Sequence, residues 1–393
     1  MRGHRTSFDF VEPIFSETLL SNHCAYGSFL GNACNSSTIH WQSSGRLANN
    51  KIRFRKQGEI QWTETIGRIF FIPNTLRRHY YTHLENLESD TVYEVLINGV
   101  ESKTFKTLPS TIGDNDSVKI LFCADVAYPN NYDKIDRLNN GLIQTLNPDI
   151  VNFAGDIGHC SWATNNGTEN WAEFWDTWTK YNHSANGHTL PINAQWGNHD
   201  YNPYMSMFFP QISEGYGYTD IGDYLTILNL NSDHGVSVAS QTGFIEQVLQ
   251  EKNGRIVISC SHASPYSVGS LSGIRSINEQ RCVAMREHWT PIFSAHDNHY
   301  FHCSGHTHVY GYSPLVTGGT EEESGLDPNG RRYFGQGSIF LTPRAAEGQE
   351  KWWVDTVDNT INAVWLMTLS ANELKMESYD TDGNKVHTFS WNL

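Results

Sequence analysis

The sequence predicts an α/β chain with a small all-β unit in front of it. Three observations carry this. Short β-rich runs recur at close spacing through the first hundred residues, a polar turn-rich stretch interrupts the chain at 109–117, and beyond it apolar runs alternate with helical periodicity. At 393 residues the chain exceeds what one hydrophobic core usually organises, so two domains are expected. Hydrophobic residues at 38% supply enough apolar surface for packed cores, which excludes wholesale disorder.

Taken in order, Lys51–Lys56 sets apolar Ile52 and Phe54 between basic neighbours, the period-two pattern of a half-buried strand. Short β-rich runs follow at 69–72, 79–83 and 91–97. Asn98-Gly99 then separates Val95-Leu96-Ile97 from a run at 103–108, and Asn-Gly between such runs predicts a hairpin because both residues tolerate positive φ. Strands at this spacing suggest a β-sandwich. After the linker, an apolar run at 118–124 ends at Asp125. Ile135, Leu138, Leu142, Ile143 and Leu146 recur on one helical face, and Ile150–Ala154 runs apolar into Gly155-Asp156. Strand, helix, strand implies a right-handed crossover and parallel pairing. The unit recurs: Phe244, Ile245, Val248 and Leu249 fit a helix, and 255–260 reads as a strand ending near His262.

Composition narrows the function. Lys+Arg total 27 against 42 Asp+Glu, a net charge of −15 that argues against bulk electrostatic binding to nucleic acid or anionic lipid. With 18 histidines beside that acidity, cation binding is the better expectation. No apolar run reaches the roughly 18 residues of a membrane-spanning helix. The N-terminus has early positive charge but no apolar stretch behind it, so no signal peptide is expected. Seven cysteines without CxxC spacing exclude a zinc ribbon and a dense disulfide framework. Cys24 and Cys34 could pair, the plainer reading being buried thiols. The compartment stays open.

Polar candidate ligands lie just past the ends of the expected strands: Asp125, Asp156, Gly197-Asn198-His199-Asp200 after the run at 190–196, His262, and Gly305-His306-Thr307-His308 after 300–303. In open α/β sheets ligands bind outside the carboxyl ends of strands, so these loops would converge on one rim. Singly, each Asp could be a helix cap or turn residue, and His262 a hydrogen-bonded core histidine. As a set they supply carboxylate, amide and imidazole, which suit Zn, Mn or Fe. Trp162, Trp171, Trp175, Trp178 and Trp196 cluster between two of these loops. They could stack on a base, but the helical spacing of 171, 175 and 178 favours a buried helix face.

These loops resemble the five motifs of the calcineurin-like metallophosphoesterases. With a β-sandwich in front, the chain is most similar to the purple acid phosphatase branch, whose N-terminal domain is fibronectin type III-like. The stretch from Leu84 to Tyr93, where a Tyr closes a turn, resembles a corner of such domains, and runs at 337–341, 364–369 and 374–388 resemble the branch's closing strands. The resemblance implies a β-sandwich over 17–108 and, over 118–393, a four-layer α/β/β/α catalytic domain holding two divalent ions. The first ion would be bound by Asp125, Asp156 and His308, the second by Asp156, Asn198, His262 and His306, with Asp156 shared. His199 would protonate the leaving group, oriented by Asp200, while a hydroxide bridging the ions attacks phosphorus.

Two departures from that pattern stand out. Where the branch has a ligand Tyr three residues after the shared Asp, this chain has His159, read as the fourth ligand of the first ion; without tyrosinate no purple colour is expected. After His262, the branch's phosphate-contacting histidines are absent, leaving Tyr266 and Arg275 as candidates or as ordinary loop residues. Substrate preference therefore does not transfer with the resemblance; the leading expectation is a phosphatase acting on a small phosphomonoester, while the apolar runs and the net charge of −15 speak against membrane insertion and strong nucleic-acid binding. The alternatives are a phosphodiesterase acting on nucleotides or nucleic-acid ends, and a binding or structural protein with a vestigial metal site. The branch is often secreted.

Overall fold

The computed structural model describes residues 21–44, 50–72, 77–99, 101–126, 138–158, 167–181, 183–200, 205–233, 235–266, 269–270, 279–336, 343–347 and 349–393. His159, Cys160, Trp162, Arg275 and the run at 337–341 lie outside them, as does Ile135 of the expected helical face.

Residues 21–106 form two four-stranded antiparallel sheets. One has the order Ser21–Ser28, Ser37–Ser44, Arg77–Leu84, Arg68–Phe71, the other Thr63–Ile66, Lys51–Lys56, Val92–Ile97, Glu101–Lys106. They share a core of Ile39, Trp41 and Tyr80 from the first sheet with Ile52, Val95 and Phe105 from the second. The hairpin at Asn98-Gly99 is present, with φ of 52° and 70°, the mirror-image turn that matches strand twist. The Tyr93 hydroxyl accepts from the Glu88 backbone N–H at 2.8 Å and so closes the preceding turn.

Two larger sheets follow. The six-stranded one runs Ile192–Gln195, Ile150–Ala154, Ser117–Cys123, Ala363–Ser370, Glu373–Asp380, Lys385–Asn392, and its first three strands are parallel. The seven-stranded one runs Gly217–Ile221, Leu225–Asn229, Ile256–Cys260, His299–Ser304, Arg332–Gln336, Tyr310–Tyr312, Thr356–Asp358, with four central parallel strands. Alternation along each strand explains the layering. Val118, Ile120 and Phe122 meet Ile227, Ile258 and Phe301 between the sheets. Leu121 and Cys123 turn to the other face, where the helix Gly167–Tyr181 buries Trp171, Trp175 and Trp178. The outer face of the second sheet takes the helices Thr242–Glu251, Gln280–His288 and Thr290–Ala295 through Ile245, Met285 and Phe293. Trp171, Trp175 and Trp178 are thus core, as their helical spacing suggested. The chain over 138–146, expected to be α-helical, is a π turn over Leu138–Ile143 that tightens to α only at Gln144–Leu146.

Between the two sheets, a buried amide network joins Asn152, Asn193, Gln195 and Asn229, with donor–acceptor distances of 2.7–3.1 Å. Every member is satisfied by another, which removes the usual cost of burying amides and favours one relative setting of the sheets. The N-terminal sheets dock on the helix Gly167–Tyr181. Tyr26 stacks on Trp175 at 3.8 Å, and Arg77 clamps Asp176 through two bonds of 2.8 and 2.5 Å. Cys34, Cys123, Cys260, Cys282 and Cys303 are buried, and Cys34 is not in a disulfide. No described helix is long and apolar enough to cross a membrane.

Candidate metal centre

The parallel strands of both sheets end on one rim, and the residues just past their ends carry the donors. Asp125 and Asp156 follow neighbouring strands of the first sheet, and the loop 197–200 follows the third. His262 and the 305–308 loop follow adjacent strands of the second sheet. Asp125, Asp156, His306 and His308 all have left-handed backbones, with φ of 54°, 53°, 73° and 57°. Such strain in non-glycine residues costs of order 1 kcal/mol or more each and tends to gather at functional sites. Here it turns each chain end inward, and backbone bonds tie the loops together: Asp125 N–H to Gly155 O at 3.1 Å, Gly305 N–H to His262 O at 2.8 Å. Gly197 and Gly305 allow the close approach, since a Cβ at either would collide with the Asp156 or Asp125 carboxylate.

Three acceptor atoms from three residues meet at the His262 Nε2 atom. His262 Nδ1–H donates to Ala154 O at 2.8 Å, which points Nε2 at Asn198 Oδ1 (3.1 Å), Asp156 Oδ2 (3.2 Å) and His306 Nδ1 (3.2 Å). One nitrogen can donate at most one proton to three acceptors, so this cluster fits a cation better than it fits itself. Beside it, Asp125 Oδ1 faces His308 Nε2 at 2.9 Å, while Asp125 Oδ2 accepts the His306 backbone N–H at 2.8 Å. Donor atoms of Asp125, Asp156 and His262, all three fully buried, lie within 4.8 Å of one another. Buried carboxylates so placed need a compensating cation, and hard oxygen with imidazole suits a divalent transition ion. All the expected ligands among the described residues are therefore brought together.

Electrostatics agree. Burial alone would raise the Asp125 carboxyl, but the charge and hydrogen bond of His308 outweigh it and hold Asp125 below the usual range. Burial would lower the His262 imidazole, yet the Asp156 and Asp125 carboxylates raise it to about 9. Without metal, His262 is thus a cation between two carboxylates at pH 7, and ligation must displace its proton. Metal binding at pH 7.5 is expected to release about one proton per chain from this residue, and apparent affinity should rise with pH up to about 9. Calorimetry in buffers of different ionisation enthalpy checks this; a buffer-independent heat would refute it. By the same sign, the stability His262 lends the metal-free fold is complete below pH 6.5 and lost as pH rises through about 9.

His199 stands at the edge of the cluster, with Nε2 3.9 Å from Asp156 Oδ2 and its backbone N–H donating to Asp156 Oδ1 at 2.9 Å. At 8% exposure it is the most accessible of the buried site histidines, as a group meeting substrate must be. The expected orienting contact from Asp200 to the His199 ring is not made. The Asp200 carboxylate instead accepts three backbone N–H groups, from Ile157 and Gly158 at 2.8 Å and Gly197 at 3.1 Å. A short side chain in this turn reaches its own loop and the 156–158 loop before it reaches the ring, so Asp200 staples two ligand loops. Burial first, and then the charge of Asp156, push its carboxyl up to about 7.

Of the two readings of Tyr266, the geometry fits the ordinary one. Tyr266 is 3% exposed, and its hydroxyl bonds Ser324 at 2.5 Å and donates to Gly319 O at 3.1 Å, so it packs into the body rather than serving phosphate. A residue that motif spacing did not reveal is Glu279, whose Oε2 faces His306 Nε2 at 3.0 Å. It precedes the helix Gln280–His288 with no sequence signal beyond its charge.

Residues 118–310 match the calcineurin-like phosphoesterase family, a span that holds every donor named above. The chain carries a calcineurin-like metallophosphoesterase domain. Among solved structures it is similar to a conserved protein of Streptococcus pneumoniae described as a predicted phosphoesterase, at 12% identity and a TM-score of 0.32, covering 71% of this chain and 99% of that one. It is also similar to vacuolar protein sorting 29 of Cryptosporidium parvum, at 14% identity and a TM-score of 0.32, covering 70% of this chain and 99% of that one. A Vps29 mutant from Entamoeba histolytica stands at 13% identity and 0.30, with the same 70% and 99% coverage. The comparison with curated proteins finds no match.

Proposed function

We propose that the chain is a dinuclear metallophosphoesterase that hydrolyses small phosphomonoesters, built as a fibronectin type III-like domain over 17–108 followed by a four-layer α/β/β/α catalytic domain over 118–393. The observation that supports it most is the convergence of Asn198, Asp156 and His306 on His262 Nε2 beside the Asp125–His308 pair. Asp156, Asn198, His262 and His306 would hold one divalent ion, and Asp125, Asp156 and His308 the other. The purple acid phosphatase resemblance adds His159 to the latter as a replacement for tyrosine. When bound, such ions polarise phosphoryl oxygens and acidify water.

The remaining chemistry falls to the chain itself. Asp156 is anchored by the His199 backbone N–H, which ties the carboxylate to the loop that carries the His199 ring. That ring, at the accessible edge, would give its proton to the departing alcohol oxygen. His199→Ala is expected to keep its metal content but to slow an alkyl phosphate by roughly 10²–10⁴, while an aryl phosphate with a good leaving group loses far less. Parallel turnover of mono-aryl and bis-aryl phosphates tests the monoester preference. Undiminished rates on both alkyl and aryl monoesters would remove His199 from the mechanism.

A further inference from the structure

Behind His306 lies a chain of charged groups that the roles above do not use. Glu279 Oε2 faces His306 Nε2 at 3.0 Å, and Glu279 Oε1 pairs with Arg281 Nη2 at 2.7 Å. The other arm of Arg281 meets the Asp233 carboxylate, which accepts the Ser232 hydroxyl at 2.5 Å. Ser232 Oγ in turn accepts the backbone N–H of Ala263, the residue after His262, at 2.9 Å. One network therefore supports both histidines whose nitrogens meet at 3.2 Å.

Glu279 occupies the N-cap position of the helix Gln280–His288, yet its side chain makes no cap hydrogen bond. Its carboxylate turns away from the free N–H groups of the helix, which a side chain there would ordinarily satisfy, and toward His306 instead. A local rule is broken in favour of a longer-range contact, the pattern found where function constrains a residue. The consequence for His306 is definite. With Nε2–H donated to Glu279, the lone pair of the neutral imidazole is on Nδ1, the atom that faces His262 Nε2. Carboxylates placed this way fix a ligand's tautomer and raise its basicity.

We propose that Glu279 is a positioning residue for the metal ion held by His306, with Arg281 and Asp233 holding Glu279 in place. This rests on the dinuclear reading of the site. It also explains why Arg281 does not stand in for the missing phosphate-contacting histidines, since both its arms are engaged by carboxylates.

The test is metal stoichiometry and affinity, by equilibrium dialysis against Zn or Mn with elemental analysis. Wild type is expected to hold two ions. Glu279→Ala should weaken one of them by about 10–100-fold and leave the other in place, with turnover restored by excess metal. Glu279→Gln and Glu279→Met, of similar length, carry the comparison if the alanine variant does not fold. Gln keeps an acceptor oxygen and Met does not, so affinity should fall in the order wild type, Gln, Met. Two ions bound by wild type with equal affinity in the variants would overturn the proposal alone, even if the variants melt earlier. A wild-type chain that binds no ion would overturn both the proposal and the dinuclear reading.

Discussion

Replacing Asp156 with asparagine is expected to leave a folded chain that holds at most one metal ion and hydrolyses phosphomonoesters at least roughly 10³-fold more slowly, since such ions contribute several kcal/mol to the transition state. Asn keeps the size of the side chain and an oxygen for the His199 N–H, now at 2.9 Å from Oδ1. What it removes is the charge that faces His262 Nε2 from 3.2 Å and that both proposed ions would share. The same charge helps lift His262 to about 9 and Asp200 to about 7, so both should titrate lower in the variant. Metal content and initial rates on one aryl monophosphate decide the matter. Two tightly bound ions with wild-type turnover would mean that Asp156 is not the shared ligand.

The second large effect is acid instability. His40, His79, His299 and His302 are fully or almost fully buried in two clusters that do not include the donors. His40 bonds Ser28 at 2.7 Å and His79 at 3.1 Å where the N-terminal sheets meet Tyr26. His299 and His302 share Ser259 at 2.8 Å. Burial lowers all four, His79 and His302 to about 3. In the unfolded chain each takes a proton below about pH 6.5. The unfolded state then binds more protons, so their contribution is intact above pH 6.5 and is lost as pH falls toward 3. Asp200, raised to about 7, has the opposite sign because the fold takes its proton first.

Each histidine that stays neutral in the fold loses up to about 1.4 kcal/mol per pH unit below pH 6.5, and the four together outweigh the opposite drift of Asp200. A domain has only about 5–15 kcal/mol to lose. Thermal melts from pH 7.5 to 4.5 should therefore fall steeply below pH 6, with acid unfolding near pH 5. His79→Gln and His302→Gln variants, if folded, should flatten that slope. A melting temperature that stays level down to pH 4.5 would show that the imidazoles are charged or solvated in the fold.

Much of the site was legible because apolar runs have ends. In this fold the donor follows the last buried strand residue almost immediately, so locating the ends of the runs at 118–124, 150–154 and 255–260 located Asp125, Asp156 and His262. The tryptophans at 171, 175 and 178 were legible for a similar reason, since periodicity reports burial directly. The strands Ser21–Ser28 and Ser37–Ser44 were not individually legible. Thr38, His40, Gln42 and Ser43 are buried alongside Ile39 and Trp41, because this sheet is covered on both sides and alternation disappears.

The sequence by itself determined which residues could be donors and that they lie at strand ends, because side-chain chemistry and the burial pattern are local properties. Tertiary structure decided what those donors face. Asp200 bonds three amides on two loops instead of the His199 ring, Tyr266 is turned into the body, and Glu279 leaves its helix N-terminus for His306. The amides of Asn152, Asn193, Gln195 and Asn229 find one another across two sheets. Apart from the bond of Asp200 to Gly197 in its own loop, each of these is a contact between residues far apart in the chain, chosen by which partner remains once water is excluded. No spacing within one segment encodes that choice.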